Sequence, residues 1–339
     1  MNQRDCMRPG GRPPTCATLR TFEAMLQEAT VKIEDVKVVA VVGAGAIGHA
    51  IAQEYARSGY KVHLNDVSED RLRQSLDSIK SNLVMLVDLG LVSAEQAAPT
   101  VGRIRSCTNL AATVSEADVV VEVIPENLAL KQQLFRQLDD LCPPHTILVS
   151  NSSSLMPSAL AGATRRPDKV LVTHYLMPPY LLPLVEVVRA PSTSDETVAV
   201  MCELLVKQDK TPVLLQKEVP GFAVNRLQAA LLREAFSLVE QGVLTARDID
   251  SIFTHALGPR WAAAGPFELM HIHGLDLWLV VLEYLLPLLA SSTEPPALLR
   301  ETVARGDLGG KTGKGLYPCP PEAMEELQRR IARALVKLA

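Results

Sequence analysis

The stretch 37–66, KVVAVVGAGAIGHAIAQEYARSGYKVHLND, constrains the fold more than any other part of the chain. It opens on Val38, Val39, Ala40, Val41 and Val42, the short, largely β-branched run that a strand buried on both faces requires. Gly43, Gly45 and Gly48 follow with G-x-G-x-x-G spacing. Residues 46–58 read as a helix with Ile47, Ile51 and Tyr55 on one face, Gly59 ends it, and 60–64 reads as a second strand. Asp66 closes that strand, roughly twenty positions after the first glycine.

Each residue type has a physical reason. Gly43 permits the tight turn from strand to helix, Gly45 lets the backbone approach a pyrophosphate, and Gly48 lets helix and strand pack closely. The helix N-terminus presents unpaired N–H groups and a partial positive charge to phosphate. Asp66 is placed to accept hydrogen bonds from ribose hydroxyls and to repel a 2′-phosphate, which favours NAD over NADP. Arg71 and Arg73 lie just beyond and weaken that preference slightly. A glycine-rich turn in another kind of α/β domain is the competing reading. The strand, the helix and the acid, all in place, favour the dinucleotide.

With 339 residues the chain has room for about two domains. A net charge of −4 leaves no electrostatic footprint for nucleic acid. The six cysteines are scattered without metal or C-x-x-C spacing, which suits a reducing, cytoplasmic setting. No metal site is visible. The most apolar run, 275–290, is interrupted by Asp276, Glu283 and Pro287 and reads as a buried helix rather than a membrane span. Residues 1–35 read as a flexible N-terminal extension, disordered to about Pro14 with a short helix over 17–29. Its arginines and few acids are compatible with an organelle leader, but a plain extension is the preferred reading, and no signal-peptide apolar region is seen at the start.

Beyond the first β-α-β unit a long helix is expected over 69–89, strands over 103–107, 118–123 and 146–150, and a helix over 127–141. Strands over 170–174, 184–188 and 211–215 extend the sheet. Strands alternating with helices imply an α/β domain with a doubly wound, mostly parallel sheet of the Rossmann type over 36–217. From 218 to 339 the pattern is all-α, with helices expected over 221–241, 246–257, 267–289, 296–305 and 321–338.

His174, at the end of one expected strand, is placed for proton transfer, because imidazole as a residue type titrates near neutrality. Glu186, on what reads as the end of a neighbouring strand, is a carboxylate able to orient it. Spacing alone leaves open a core histidine and a surface glutamate.

The ordered blocks GAGAIG, VVEVIPEN (120–127), SNSSSL, the His174 region, PLVEVV, PGFAVNRL and KTGKGLY (311–317) resemble the 3-hydroxyacyl-CoA dehydrogenase superfamily. SSSLMPS (152–158), PPYLLPLVE (178–186), QKEVPGFAVNRLQ (216–228) and GPRWAAAGPFELMH (258–271) are most similar to its lambda-crystallin and L-gulonate 3-dehydrogenase branch, and L-carnitine dehydrogenases share much of the pattern. The resemblance implies Ser153 as the serine that hydrogen-bonds the substrate oxygen, His174 as general acid/base, Glu186 as its carboxylate partner and Asn225 as the residue polarising the substrate oxygen. It implies Ala46 and Ile47 at the pyrophosphate, and Glu126 and Lys131 on the nicotinamide side. The activity it implies is NAD-dependent oxidation of the 3-hydroxyl of a small hydroxy acid. L-carnitine and 3-hydroxyacyl-CoA are alternative substrates, and a slow or inactive cofactor-binding dimer of the crystallin kind is a third reading. One position departs from the family pattern: Met177 stands where the family has asparagine, and a thioether cannot replace two amide hydrogen bonds.

The acyl-CoA branch uses lysines in the hairpin after the second strand, whereas SNLVMLVDLGLVS (81–93) has no basic residue and only Lys80 is near. That points toward a small free acid. Arg260 presents a planar fork suited to its carboxylate, with capping of a helix end as the alternative. Trp261 is expected in the helical core and His271 and His273 at a helix surface. The apolar helices of the second domain call for a homodimer, as does the resemblance.

Overall fold

The computed structural model describes residues 33–338. The helix expected over 17–29 and most of the extension lie outside them. The described part opens with a single helical turn, Ile33–Asp35, whose Ile33 is buried against the sheet domain's core.

Two compact units meet in sequence between Ala223 and Val224. The first holds strands β1 (Val38–Val42), β2 (Lys61–Asn65), β3 (Ile104–Cys107), β4 (Val119–Glu122), β5 (Ile147–Ser150), β6 (Val170–Tyr175), β7 (Leu184–Arg189) and β8 (Thr211–Leu215). Its helices are α1 (Gly48–Arg57), α2 (Glu69–Asp88), α3 (Ala94–Ala97), α4 (Leu110–Val114), α5 (Leu128–Leu141), α6 (Pro157–Ala161) and α7 (Asp195–Lys207). The strands form one sheet in the order β3-β2-β1-β4-β5-β6-β7-β8, the doubly wound arrangement. Alternate residues of β1 divide the core. Val39 and Val41 join Ile51 and Tyr55 of α1, while Ala40 and Val42 join Leu134, Phe135 and Leu138 of α5. Helices on both faces explain why the central strands carry no polar stripe.

One pairing breaks the parallel pattern. β6 and β7 run antiparallel, because the connection 176–183 is too short for the crossover a parallel pair needs. Glu186 therefore sits near the start of its strand rather than at its end, and the antiparallel direction sets it opposite His174.

The segment 218–223 stays with the sheet unit, which moves the division past 217/218. Glu218 Oε2 accepts the Ser158 N–H at 3.0 Å, Phe222 packs on Val172 and Val188, and the Ala223 N–H donates to Glu186 Oε1 at 2.8 Å. The helix expected from 221 starts only at Val224, since Gly221 (φ 77°) and Phe222 (φ 51°) occupy the left-handed region. Helix α7 was not assigned from the sequence. It is buried on several sides, so its apolar residues show no stripe.

The second unit contains α8 (Val224–Glu240), α9 (Ala246–Ile252), α10 (Gly258–Ala263), α11 (Pro266–His273), α12 (Leu275–Leu285), α13 (Ala297–Ala304) and α14 (Pro321–Leu338). A wide turn, Phe253–Leu257, separates α9 from α10, where Pro259 cannot continue a regular helix. The helix expected over 267–289 is broken. Gly274 takes φ 90°, and the chain bends by 110° there. Nor is its second half a buried helix: no residue of α12 is buried, and Val280 and Tyr284 are 63% and 71% exposed. Among the described residues no single helix is long and apolar enough to cross a membrane.

Burial pushes the thiols of Cys142 and Cys202 up to about 12, while Cys107 is partly exposed. At pH 8 a thiol-specific reagent followed by peptide mapping is therefore expected to label Cys107 ahead of Cys142 and Cys202 in the folded protein. Equal labelling of all three would contradict this packing.

Candidate active site

The glycine turn is built from two sides. The Gly43 N–H donates to the Asn65 carbonyl at 2.8 Å, and the buried Ser75 Oγ, from α2, donates to the Ala44 carbonyl at 2.5 Å. Gly43 takes φ 110°, and a Cβ there would lie 2.6 Å from the Val123 oxygen. A Cβ at Gly48 would overlap the Gly43 carbonyl oxygen. Gly45 differs: a Cβ there would meet no protein atom within 4 Å. That open cradle lies before α1, whose first residue is preceded by Ile47 with no side-chain cap, so no cap side chain occupies the helix N-terminus. Ala46 is exposed at the rim, and Ile47 packs inward on the core.

Asp66 is buried at the end of β2. Its Oδ2 accepts the Ala44 N–H at 3.0 Å and its Oδ1 accepts the Ser68 N–H at 3.1 Å. Each oxygen has a second lone pair for a ribose hydroxyl. Arg71 lies 3.7 Å from Asp66 and Arg73 pairs with Asp70, so both arginines foreseen as competing charges are engaged with carboxylates. The turn, the cradle and the acid together fit a dinucleotide.

A polar row crosses one face of the sheet at the edge where the parallel strands β4, β5 and β6 end and the reversed β7 begins. Glu122 of β4 lies beside Ser150 of β5, and the row continues to His174 of β6 and Glu186 of β7. Open α/β sheets place their ligands at this edge. His174 Nδ1 lies 2.7 Å from Glu186 Oε2, with both side chains buried. An ionised carboxylate only accepts, so this contact puts a proton on Nδ1 and leaves the lone pair on Nε2. Glu186 is thus a buried partner and not a surface residue. The Phe222 ring lies against the imidazole, centroids 5.6 Å apart and planes tilted by 57°, after the left-handed turn at Gly221 and Phe222.

The loop after β5 carries Ser153, which is exposed. Asn151 Oδ1 in that loop accepts the Tyr175 N–H at 2.9 Å, which ties Ser153's loop directly to the strand of His174. Its neighbours bind Glu126: Ser154 Oγ donates at 2.8 Å, the Ser154 N–H at 3.1 Å, and Ser152 Oγ also donates. Burial opposes ionisation of Glu126, but the bonds from Ser152 and Ser154, with Lys131, hold it below the usual carboxylate range. Lys131 is 1% exposed. Its ammonium donates to Glu122 Oε1 at 2.6 Å and to the Ile124 carbonyl at 3.1 Å, and lies 3.5 Å from Glu126. Lys131, expected on the nicotinamide side, is thus a buried side chain paired with Glu122 and close to Glu126. Burial pushes Glu122 up, against the pull of Lys131 and Ser150. Breaking such a buried pair costs about 3–5 kcal/mol.

Asn225 and Arg260 belong to the second unit. Asn225 is half-buried in the first turn of α8, and Arg260 is exposed in α10. Trp261 is 37% exposed, which takes it out of the core expected for it. His271 and His273 are exposed, each with Nδ1 against the carbonyl four residues back, at 2.8 and 2.9 Å. Sequence reasoning passed over Ser75, Glu122, Asn151 and Phe222 as site residues. Glu122, Asn151 and Phe222 did lie inside blocks already singled out, whereas Ser75 gave no signal beyond its type.

The two glycines separate cofactor binding from folding. Gly45→Ala is expected to leave the melting temperature unchanged and weaken NADH binding about tenfold or more, read by nucleotide fluorescence. Gly48→Ala is expected to lower the melting temperature itself. The reverse pattern would remove Gly45 from the phosphate cradle.

Comparison with known proteins agrees with this geometry. The model of the 3-hydroxyacyl-CoA dehydrogenase NAD-binding domain matches residues 38–219, and that of the 3-hydroxyacyl-CoA dehydrogenase C-terminal domain matches 221–318. The chain is 40% identical to the lambda-crystallin homolog of Bos taurus over 69% of its own length and 74% of the relative's. It is 36% identical to a probable 3-hydroxybutyryl-CoA dehydrogenase of Bacillus subtilis, over 84% of this chain and 97% of that one. A crystal structure of 5-formyl-3-hydroxy-2-methylpyridine 4-carboxylic acid 5-dehydrogenase, described as an NAD+-dependent dismutase, superposes with a TM-score of 0.83 at 31% identity. That match covers 89% of this chain and 97% of the other. The protein therefore belongs to the 3-hydroxyacyl-CoA dehydrogenase family, as an NAD-dependent oxidoreductase of two domains.

Proposed function

We propose that the protein oxidises the 3-hydroxyl of a small free 3-hydroxy acid, of the L-gulonate kind, with His174 as general acid/base. The observation that carries the chemistry is the buried His174–Glu186 contact at 2.7 Å on the carboxyl edge of the sheet. Nε2 takes the hydroxyl proton. Glu186 then faces an imidazolium, and its negative charge stabilises that form in a site of low dielectric. Ser153 and Asn225 are assigned to hold the substrate oxygen as it becomes a carbonyl. Bound NAD supplies the hydride acceptor, on the side governed by Glu126.

The choice of a free acid rests on charge. The hairpin of α2 and α3, residues 81–93, offers no basic side chain to a CoA phosphate, and Lys80 is engaged with Asp77 at 3.1 Å. Arg260 is assigned to the substrate carboxylate. The Bacillus subtilis relative favours a CoA ester instead, so the ester belongs in the same test. The bovine crystallin homolog, together with Met177, keeps in view a slow cofactor-binding dimer. In both readings the partner is a second copy of this chain, covering the exposed apolar residues of α11 and α12, among them Phe267, Ile272, Val280 and Tyr284.

NADH formation from L-gulonate, L-carnitine and 3-hydroxybutyryl-CoA, each with NAD and with NADP, tests the reading. Turnover of a free acid with NAD is expected, abolished in His174→Ala, with KM for the acid raised far more than KM for NAD in Arg260→Ala. Turnover of the CoA ester alone would overturn the free-acid assignment, and none on any substrate with NADH still bound would favour the crystallin-like reading. Light scattering is expected to give twice the chain mass; a monomer at micromolar concentration would remove the dimer.

A further inference from the structure

The loop 176–183 carries the chain away from His174, and Met177 in it is 56% exposed. Inside the loop, the Leu181 and Leu182 N–H groups both donate to the Pro178 carbonyl at 3.1 Å. That turn closes the loop on itself but fixes it to nothing else.

At its far end the Thr211 N–H donates to the Pro183 carbonyl at 2.8 Å, and two anchors hold its middle. Tyr180 and Leu181 pack on the apolar cluster of Ile79, Leu83 and Leu86 from α2. On the other side, Lys210 Nζ donates to the Pro179 carbonyl at 2.6 Å. Pro179 is buried, so its carbonyl needs a donor from the protein, and the irregular loop provides no ladder to supply one. Lys210 is itself deeply placed. Its side chain is 4% exposed and pairs at 2.8 Å with Glu54 Oε2 of α1, 1% exposed. Glu54 also binds Arg57 at 3.2 Å, Arg57 reaches the Gln208 carbonyl at 3.2 Å, and Gln208 Oε1 accepts the Tyr175 hydroxyl at 2.9 Å. Tyr175 follows His174 in β6 and points to the opposite face of the sheet. One buried charged network therefore grips both the strand residue after His174 and the loop that follows it.

A buried ammonium is costly unless its donors are all used. Here one is spent on the loop carbonyl, where the exposed thioether of Met177 gives no comparable anchor. We propose that Lys210 is a positioning residue for His174, its ammonium fixing the Pro179 carbonyl and with it the wall of the site that leaves the imidazole. The proposal rests on His174 as the acid/base.

The test compares Lys210→Met with Lys210→Arg in the full-length protein. Deuterium exchange of the peptide spanning 176–183 is expected to quicken at least ~10-fold in Lys210→Met and little in Lys210→Arg. The kcat for the acid that the wild type turns over is expected to fall between ~10- and ~100-fold, the range for a displaced catalytic geometry. KM for NAD and NADH binding should hold within about twofold. Unchanged exchange in the loop overturns the proposal, as does a folded Lys210→Met with wild-type kcat, or a kcat loss matched by lost NADH binding. If Lys210→Met fails to fold, Lys210→Met with Glu54→Gln removes both buried charges and still deletes the donor to Pro179. Should no substrate be turned over, the functional reading has failed separately, and the exchange experiment with NADH bound decides this one.

Discussion

The antiparallel pairing of β6 with β7 is the constraint on which the site depends. It is the single reversed neighbour in an otherwise parallel sheet, and its register sets His174 opposite Glu186. Residues directly opposite in such a pair project from the same face with their Cβ atoms about 5 Å apart. A one-residue slip would send the pair to opposite faces. The His174–Glu186 contact is thus a property of strand register, and the short connection 176–183 enforces it. Lys210 and the α2 cluster hold that same connection from two sides.

Beside this pair the protein buries two lysine–carboxylate contacts, while the imidazole contact is an ion pair only when His174 is protonated. Glu122 with Lys131, Glu54 with Lys210, and Glu186 with His174 are all nearly inaccessible. Each sits next to a segment at the carboxyl edge of the parallel strands: Glu126 and the serine loop, the loop after β6, and the imidazole. Buried ion pairs gain little net free energy over apolar packing, but they oppose displacement strongly once formed. Their placement here is consistent with rigidity at the carboxyl edge of the sheet, where loops would otherwise be free to shift.

The readable parts of the sequence share a physical property: they are local. The G-x-G-x-x-G turn, with Asp66 after it, announced its strand, helix and cofactor because backbone geometry at Gly43, Gly45 and Gly48 depends on neighbours only a few residues away. Strands β1 and β8 were placed at their boundaries. Helix α7 went unseen because burial on several sides erases the amphipathic stripe that marks a helix. The apolar pattern over 267–289 continues through Gly274 as if in one helix and gives no warning of a bend. The apolar content of α12 suggested burial, while the structure leaves those side chains facing out, which periodicity cannot distinguish from a core.

What the sequence determined by itself was the dinucleotide-binding unit, the all-α character of the second unit and, through ordered motif blocks, the family. What only the tertiary structure decided was which distant residues meet. Spacing left the pairing of His174 with Glu186 open, and the resemblance implied it. Asn151 with Tyr175, Ser75 with the glycine turn, Phe222 against the imidazole and Lys210 with Pro179 were not foreseen at all. Such contacts join segments from different strands and helices, and no local pattern encodes them. They exist because the sheet order and one antiparallel pairing bring those segments to the same edge.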